Sequence, residues 1–93
     1  MGQEPGQFIF PLSFDGSADG RIYVLDAGNA RIQVFDLEGN YITQWGRKGS
    51  DEGEFDFGNG SVPEDFAGSV AVDDEGNIYV ADVGNGRIQK FAP

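Results

Sequence analysis

The sequence predicts an all-β chain built from two copies of one small antiparallel sheet, and three observations carry that expectation. Residues 20–36, GRIYVLDAGNARIQVFD, and residues 76–92, GNIYVADVGNGRIQKFA, agree at eleven of seventeen positions at an offset of 56. The apolar runs are short and bounded by Gly, Asp and Asn, which is a strand-and-turn pattern and not a helical period. Fifteen glycines in 93 residues supply the sharp turns that short strands need.

The repeat is longer than its best-matched part. Gly6-Gln7-Phe8-Ile9-Phe10 aligns with Gly53-Glu54-Phe55-Asp56-Phe57 at an offset of 47, nine less than 56, so the unit is about 47 residues with an insertion at Gly58 to Phe66 in the second copy. The first unit then covers about 8–47, the connection with its insertion about 48–68, and the second unit about 69–93. Strands are predicted near 13–17, 21–26, 31–36 and 41–46, and again near 69–73, 77–82 and 87–91. Asp19-Gly20 and Glu75-Gly76 read as two-residue hairpin turns, and Glu38-Gly39-Asn40 as a bulged three-residue loop.

Ile22-Tyr23-Val24-Leu25 and Ile78-Tyr79-Val80-Ala81 are apolar at every position and do not alternate, which predicts strands covered on both faces. A radial array of four-stranded sheets does this, and a single unit cannot cover its own faces. The architecture expected is therefore two β-propeller blades. Trp45, Phe55, Phe57 and Phe91, at blade junctions, are expected in the core.

These residues resemble a known family. Gly76-Asn77-Ile78-Tyr79-Val80-Ala81-Asp82, Asn85-Gly86-Arg87-Ile88-Gln89, Trp45-Gly46 and the Gly-x-Phe segments resemble the NHL repeat over nearly the whole chain. Asp26, Asn29 and Arg31, like Asp82, Asn85 and Arg87, match its Asp-x-x-Asn-x-Arg pattern. The resemblance implies a propeller, most often of six blades, that binds a protein or small ligand on one open face, with RNA binding in some members and metal-dependent lyase activity in a few. Phe14-Asp15-Gly16-Ser17 departs from the small apolar inner strand that the second copy keeps as Val70-Ala71-Val72-Asp73. Pro93 follows the third strand of the second unit, and Met1 aligns with Lys48, so the chain reads as two blades with one outer strand absent, expected to complete a ring with further copies of itself. Lys90 stands where the first copy has Val34, a residue that discourages edge-to-edge aggregation.

Composition narrows the function. Ninety-three residues bury a marginal core, and without Cys or His neither disulfides nor the commonest zinc ligands can reinforce it, which leaves oligomerisation or an oxygen-ligated cation. A net charge of −10, with nine carboxylates and no Lys or Arg from Asp51 to Glu75, argues against nucleic acid and anionic membranes. No leader-like or membrane-spanning run is present, so a soluble, cytoplasmic setting is the default expectation.

Each candidate site has a plainer reading beside it. The two Asp-Asn-Arg sets read as structural polar glue, a turn carboxylate gathering amides and a guanidinium. Asp15 to Asp26 has calcium-loop spacing, with Gly20 at the sixth position, yet its flanks read as strand where an EF-hand needs helices. The cluster Asp51, Glu52, Glu54 and Asp56 reads as a solvated acidic loop. Asp56-Phe57-Gly58 matches a kinase metal motif in letters only, and Asn59-Gly60-Ser61 is a sequon on a loop. No residue set offers a nucleophile with its base, so the expectation is a non-catalytic module without a cofactor whose partner is first of all itself, as a homotrimer. An excised or engineered propeller fragment without native activity is the alternative.

Overall fold

The computed structural model describes residues 3–93; Met1, aligned above with Lys48, lies outside them. Strands β1 (Pro11–Gly16), β2 (Arg21–Asp26), β3 (Arg31–Asp36) and β4 (Tyr41–Trp45) form one antiparallel sheet in that order. Strands β5 (Ser69–Val72), β6 (Ile78–Asp82) and β7 (Arg87–Phe91) form a second, again in sequence order. No α-helix occurs among the described residues. The architecture is two blade-like meanders, as the strand and turn pattern predicts.

The two sheets share one register. Ser13 pairs with Leu25 and Asp15 with Tyr23, while Ser69 pairs with Ala81 and Ala71 with Tyr79, each shifted by the sequence offset of 56. Between the second and third strands each copy makes a single 3₁₀ turn, Ala27–Asn29 or Val83–Asn85, closed by a residue in the left-handed region, Ala30 at φ 52° or Gly86 at φ 65°. The residue after a 3₁₀ turn must reverse the chain to start the next strand, and glycine does so at the lower steric cost.

The hairpin tips correct the sequence reading. Asp19-Gly20 and Glu75-Gly76 are not two-residue turns. In all three tips a backbone amide bonds back to close a tight turn ending in a left-handed glycine, Gly20 to Ser17, Gly39 to Asp36 and Gly76 to Asp73. The bulged loop expected only at Glu38-Gly39-Asn40 is thus the common solution, because Asp36 and Asp73 each accept amides from two residues ahead and four ahead.

Direct pairing places Tyr23, Leu25, Ile32, Val34 and Trp45 on one face of the first sheet, and Val70, Ile78, Val80 and Phe91 on one face of the second. These faces meet in one core. Tyr23, Leu25, Ile32, Val34, Val70, Ile78 and Val80 are buried there, with Trp45 and Phe91 packed against them at 5.1 Å between ring centroids. Phe55 and Phe57, stacked at 5.2 Å, complete it. The inner edges also lock: Ser13 Oγ accepts from the Val70 amide at 3.2 Å and Asp15 Oδ2 from the Val72 amide at 2.8 Å.

Burial on both faces of β2 and β6 was the expectation, and the structure gives it only in part. In β2 Tyr23 and Leu25 are buried but Ile22 and Val24 are half-buried, whereas in β6 Ile78 and Val80 are buried and Tyr79 and Ala81 half-buried. The reason is stacking order: the described residues supply one neighbour per sheet, so each sheet covers the face that meets the other.

Candidate functional site

The Asp-Asn-Arg sets sit where the second and third strands turn, and each grips the segment that precedes its own blade. Asp26 and Arg31 face each other across the β2–β3 pair, with Arg31 Nε donating to Asp26 Oδ2 at 2.8 Å. The rest of the guanidinium reaches outward, donating to the carbonyls of Gln3, Glu4 and Gln7 and to the Gln44 side chain. Asn29 donates to Asp26 Oδ2, and the Ile9 amide donates to Asp26 Oδ1 at 2.8 Å. Gln33 finishes the grip, donating to the Gln7 carbonyl and accepting from the Gly6 amide.

The second set repeats these bonds, apart from the one that Arg31 makes to Gln44. Arg87 Nε donates to Asp82 Oδ2 at 2.9 Å and its outer nitrogens donate to the carbonyls of Ser50, Asp51 and Glu54. Asn85 donates to Asp82, the Asp56 amide donates to Asp82 Oδ1, and Gln89 bridges Gly53 and Glu54. The strand residues are related by 56 and the gripped loop residues by 47, which explains why two offsets exist at all. The insertion lies between grip and loop, closed on itself by a bridge between Gly58 and Phe66, so it displaces neither.

Close backbone approach makes the grip possible. The Gly28 amide bonds the Ile9 carbonyl and the Gly84 amide the Asp56 carbonyl, both at 2.7 Å, and a β-carbon at Gly28 would stand 2.7 Å from that Ile9 oxygen. Gln33 and Gln89 were missed as members of the sets. Their signal was present, since Arg-Ile-Gln recurs unchanged in both copies.

Four carboxyls, those of Asp82, Asp73, Asp36 and Glu54, are held below their ordinary values. In Asp82 burial raises the pKa, but donations from the Asp56 amide, Asn85, Arg87 and Gln89 outweigh it and leave the group below its ordinary value. Asp73 likewise pays a desolvation penalty that is overcome by Asn77, by the Tyr79 hydroxyl and by the Asn77 and Glu75 amides, bringing it down to about 2. Asp36 is lowered chiefly by the Asn40 amide and Glu54 chiefly by the Arg47 guanidinium. Carboxyls shifted this way are poor proton donors and weak bases near neutral pH.

The remaining candidates are occupied by local bonds. Asp15, first residue of the calcium-like loop, holds the Val72 and Gly16 amides, and Asp26, last in it, belongs to the Arg31 set. In the acidic loop Glu54 pairs with Arg47 at 2.7 Å and Asp56 with Lys48 at 3.0 Å. Lys48 also donates to the Gly58 carbonyl and to Asn59 of the sequon, which pins the insertion beside a cleft of about 330 Å³ bordered by Gly28 and Phe66. Among the described residues no helix is long and apolar enough to cross a membrane.

A model of the NHL repeat matches residues 8–35 and 65–91, together more than half of the chain. The chain belongs to the NHL-repeat family. Each matched segment carries one complete polar set and the three strands around it. Among curated relatives, NHL repeat-containing protein 3 of Homo sapiens and that of Mus musculus are each 40% identical over 53 residues. Those matches cover 56% of this chain and 15% of the relatives, so the chain spans a small part of the length of the proteins it matches.

Proposed function

We propose that this NHL chain is a non-catalytic β-propeller module that assembles with copies of itself, three copies giving a six-bladed ring, and serves as a scaffold or as a platform for a protein or small ligand on one ring face. One observation carries the reading: positions buried inside the chain in one copy of the repeat lie open in the other. Val70 is 6% exposed and its counterpart Phe14 74%, while Ile32 is 0% exposed and its counterpart Ile88 72%. Apolar residues left open at positions built for stacking favour association. The downward-shifted carboxyls and the absence of His and Cys support a binding role over chemistry.

Native mass spectrometry at micromolar concentration tests this. A species at three times the 10.0 kDa chain mass is expected, and a clean monomer overturns it. A second reading, in which further blades of a longer polypeptide cover the same faces, is favoured by the 15% share of the relatives that this segment matches.

A further inference from the structure

Resting on that self-assembly, we propose the joint itself: the open face of the second sheet, bearing Tyr79, Ala81 and Ile88, receives the open face of the first sheet of a second copy, bearing Phe14, Ile22, Val24 and Phe35, in the register that joins the two sheets within one chain. The occupant is a second copy because the interface already exists once inside the molecule. Shifting the contacting positions of the first three strands by 56 converts the internal joint into the external one, while Trp45 of β4, which packs on Phe91 inside the chain, has no counterpart among the described residues.

Most positions survive that shift unchanged. Ile78, Val80 and Phe91, which face the first sheet, become Ile22, Val24 and Phe35, and on the other side Tyr23 and Ile32 become Tyr79 and Ile88. Two of the changes compensate each other, whereas Val72 becoming Gly16 only removes volume. Leu25, fully buried where β2 lies against β5, becomes the smaller Ala81, while Val70 on β5 becomes the larger Phe14. A large–small pair thus becomes a small–large pair, and cores tolerate exchanges that conserve volume.

The polar edge shifts just as consistently. Ser13, which accepts from the Val70 amide, becomes Ser69, positioned to accept from the Phe14 amide of a second copy. Asp15, which accepts from the Val72 amide, becomes Ala71, which cannot accept. The amide it would have served is that of Gly16, and in this chain Gly16 is already bonded by its own Asp15 at 2.9 Å. The lost acceptor therefore leaves no buried amide unpaired. Only Lys90, in place of Val34, puts a charge on the joint, with its ammonium 5.8 Å from the Tyr79 ring centroid. The external joint is therefore weaker than the internal one and opens on dilution while the sheets stay folded.

Such a joint is heterologous, with different patches on its two sides. The chain has no cysteine, and a β-carbon at Gly16 meets nothing nearer than 3.6 Å, so Gly16→Cys and Ala71→Cys give clean single thiols on opposite sides of the joint. Oxidising an equimolar mixture of the two single variants is expected to give a covalent dimer containing one chain of each kind, and neither variant alone should cross-link. Cross-linking of Ala71→Cys with itself, or no cross-link from a mixture that native mass spectrometry shows to be assembled, overturns the joint and leaves self-assembly standing. A monomer by mass spectrometry removes both. Phe14→Ala, at a side chain 74% exposed within the chain, should leave the monomer folded and raise the dissociation concentration at least about tenfold. An unchanged dissociation concentration refutes the register.

Discussion

Replacing the aspartate at the centre of each polar set should show what holds the entry segments, and the two copies should respond unequally. The Asp82 side chain is fully buried and receives the Asp56 amide, Asn85, Arg87 and Gln89. Asp82→Ala leaves the Asp56 amide without its acceptor and Arg87 without its anion. Arg87 keeps three carbonyls and is 30% exposed, so the cost belongs at the low end for a broken buried pair, about 3 kcal/mol. Arg31 is only 7% exposed, so Asp26→Ala should cost more, about 4 kcal/mol. For a chain of this size that lowers Tm by roughly 12–30 °C, read by the fluorescence of the single tryptophan, Trp45, at fixed protein concentration. If alanine abolishes folding, the milder Asp82→Asn should still lose about 1–2 kcal/mol. The sign of the pH dependence follows from the lowered carboxyl of Asp82. Its contribution is complete above the ordinary value of 3.8 and is lost as pH falls through the lower folded value, so Asp82→Asn should flatten the acid limb of the stability curve. Melting temperatures within about 3 °C of the parent for both alanine variants would show that the sets do not hold the loops.

Two further perturbations probe the backbone and the hairpin tips. Gly84→Ala drives a β-carbon into the Asp56 carbonyl and should cost about 2–3 kcal/mol, whereas Gly86→Ala should cost about 1 or less because Ala30 already occupies the matching left-handed position; equal urea midpoints would contradict this. Tyr79→Phe removes a donor from Asp73 and should move its pKa from about 2 back toward 3.8, as followed by carboxyl NMR titration; an unmoved value would rule out the hydroxyl as a cause.

Local pattern made the strands legible. β2, β3 and β7 have the bounds read from the sequence, because Gly, Asp and Asn mark their ends, while β1 begins at Pro11, two residues early, where a bulge between Pro11 and Ser13 lets a proline join. The Asp-Asn-Arg residues could be named from their recurrence, but their partners could not. Apart from their own aspartates and Gln44, the acceptors for Arg31 and Arg87 are backbone carbonyls, which carry no sequence signature, and they lie far back along the chain. The cross-sheet roles of Ser13 and Asp15 were illegible for a related reason: Asp15 has no counterpart in the second copy, and its position in a calcium-like spacing suggested a ligand where the fold uses a strand-edge acceptor.

The two grips also close loops of unequal length. Arg31 reaches a carbonyl 28 residues earlier and Arg87 one 37 residues earlier, so each grip closes a loop that spans two strands of its own blade. Lengthening such a closure by nine residues costs only a few tenths of a kcal/mol, since the entropy grows with the logarithm of loop length. That slow growth is why an insertion such as 58–66 can sit inside a closure without undoing it.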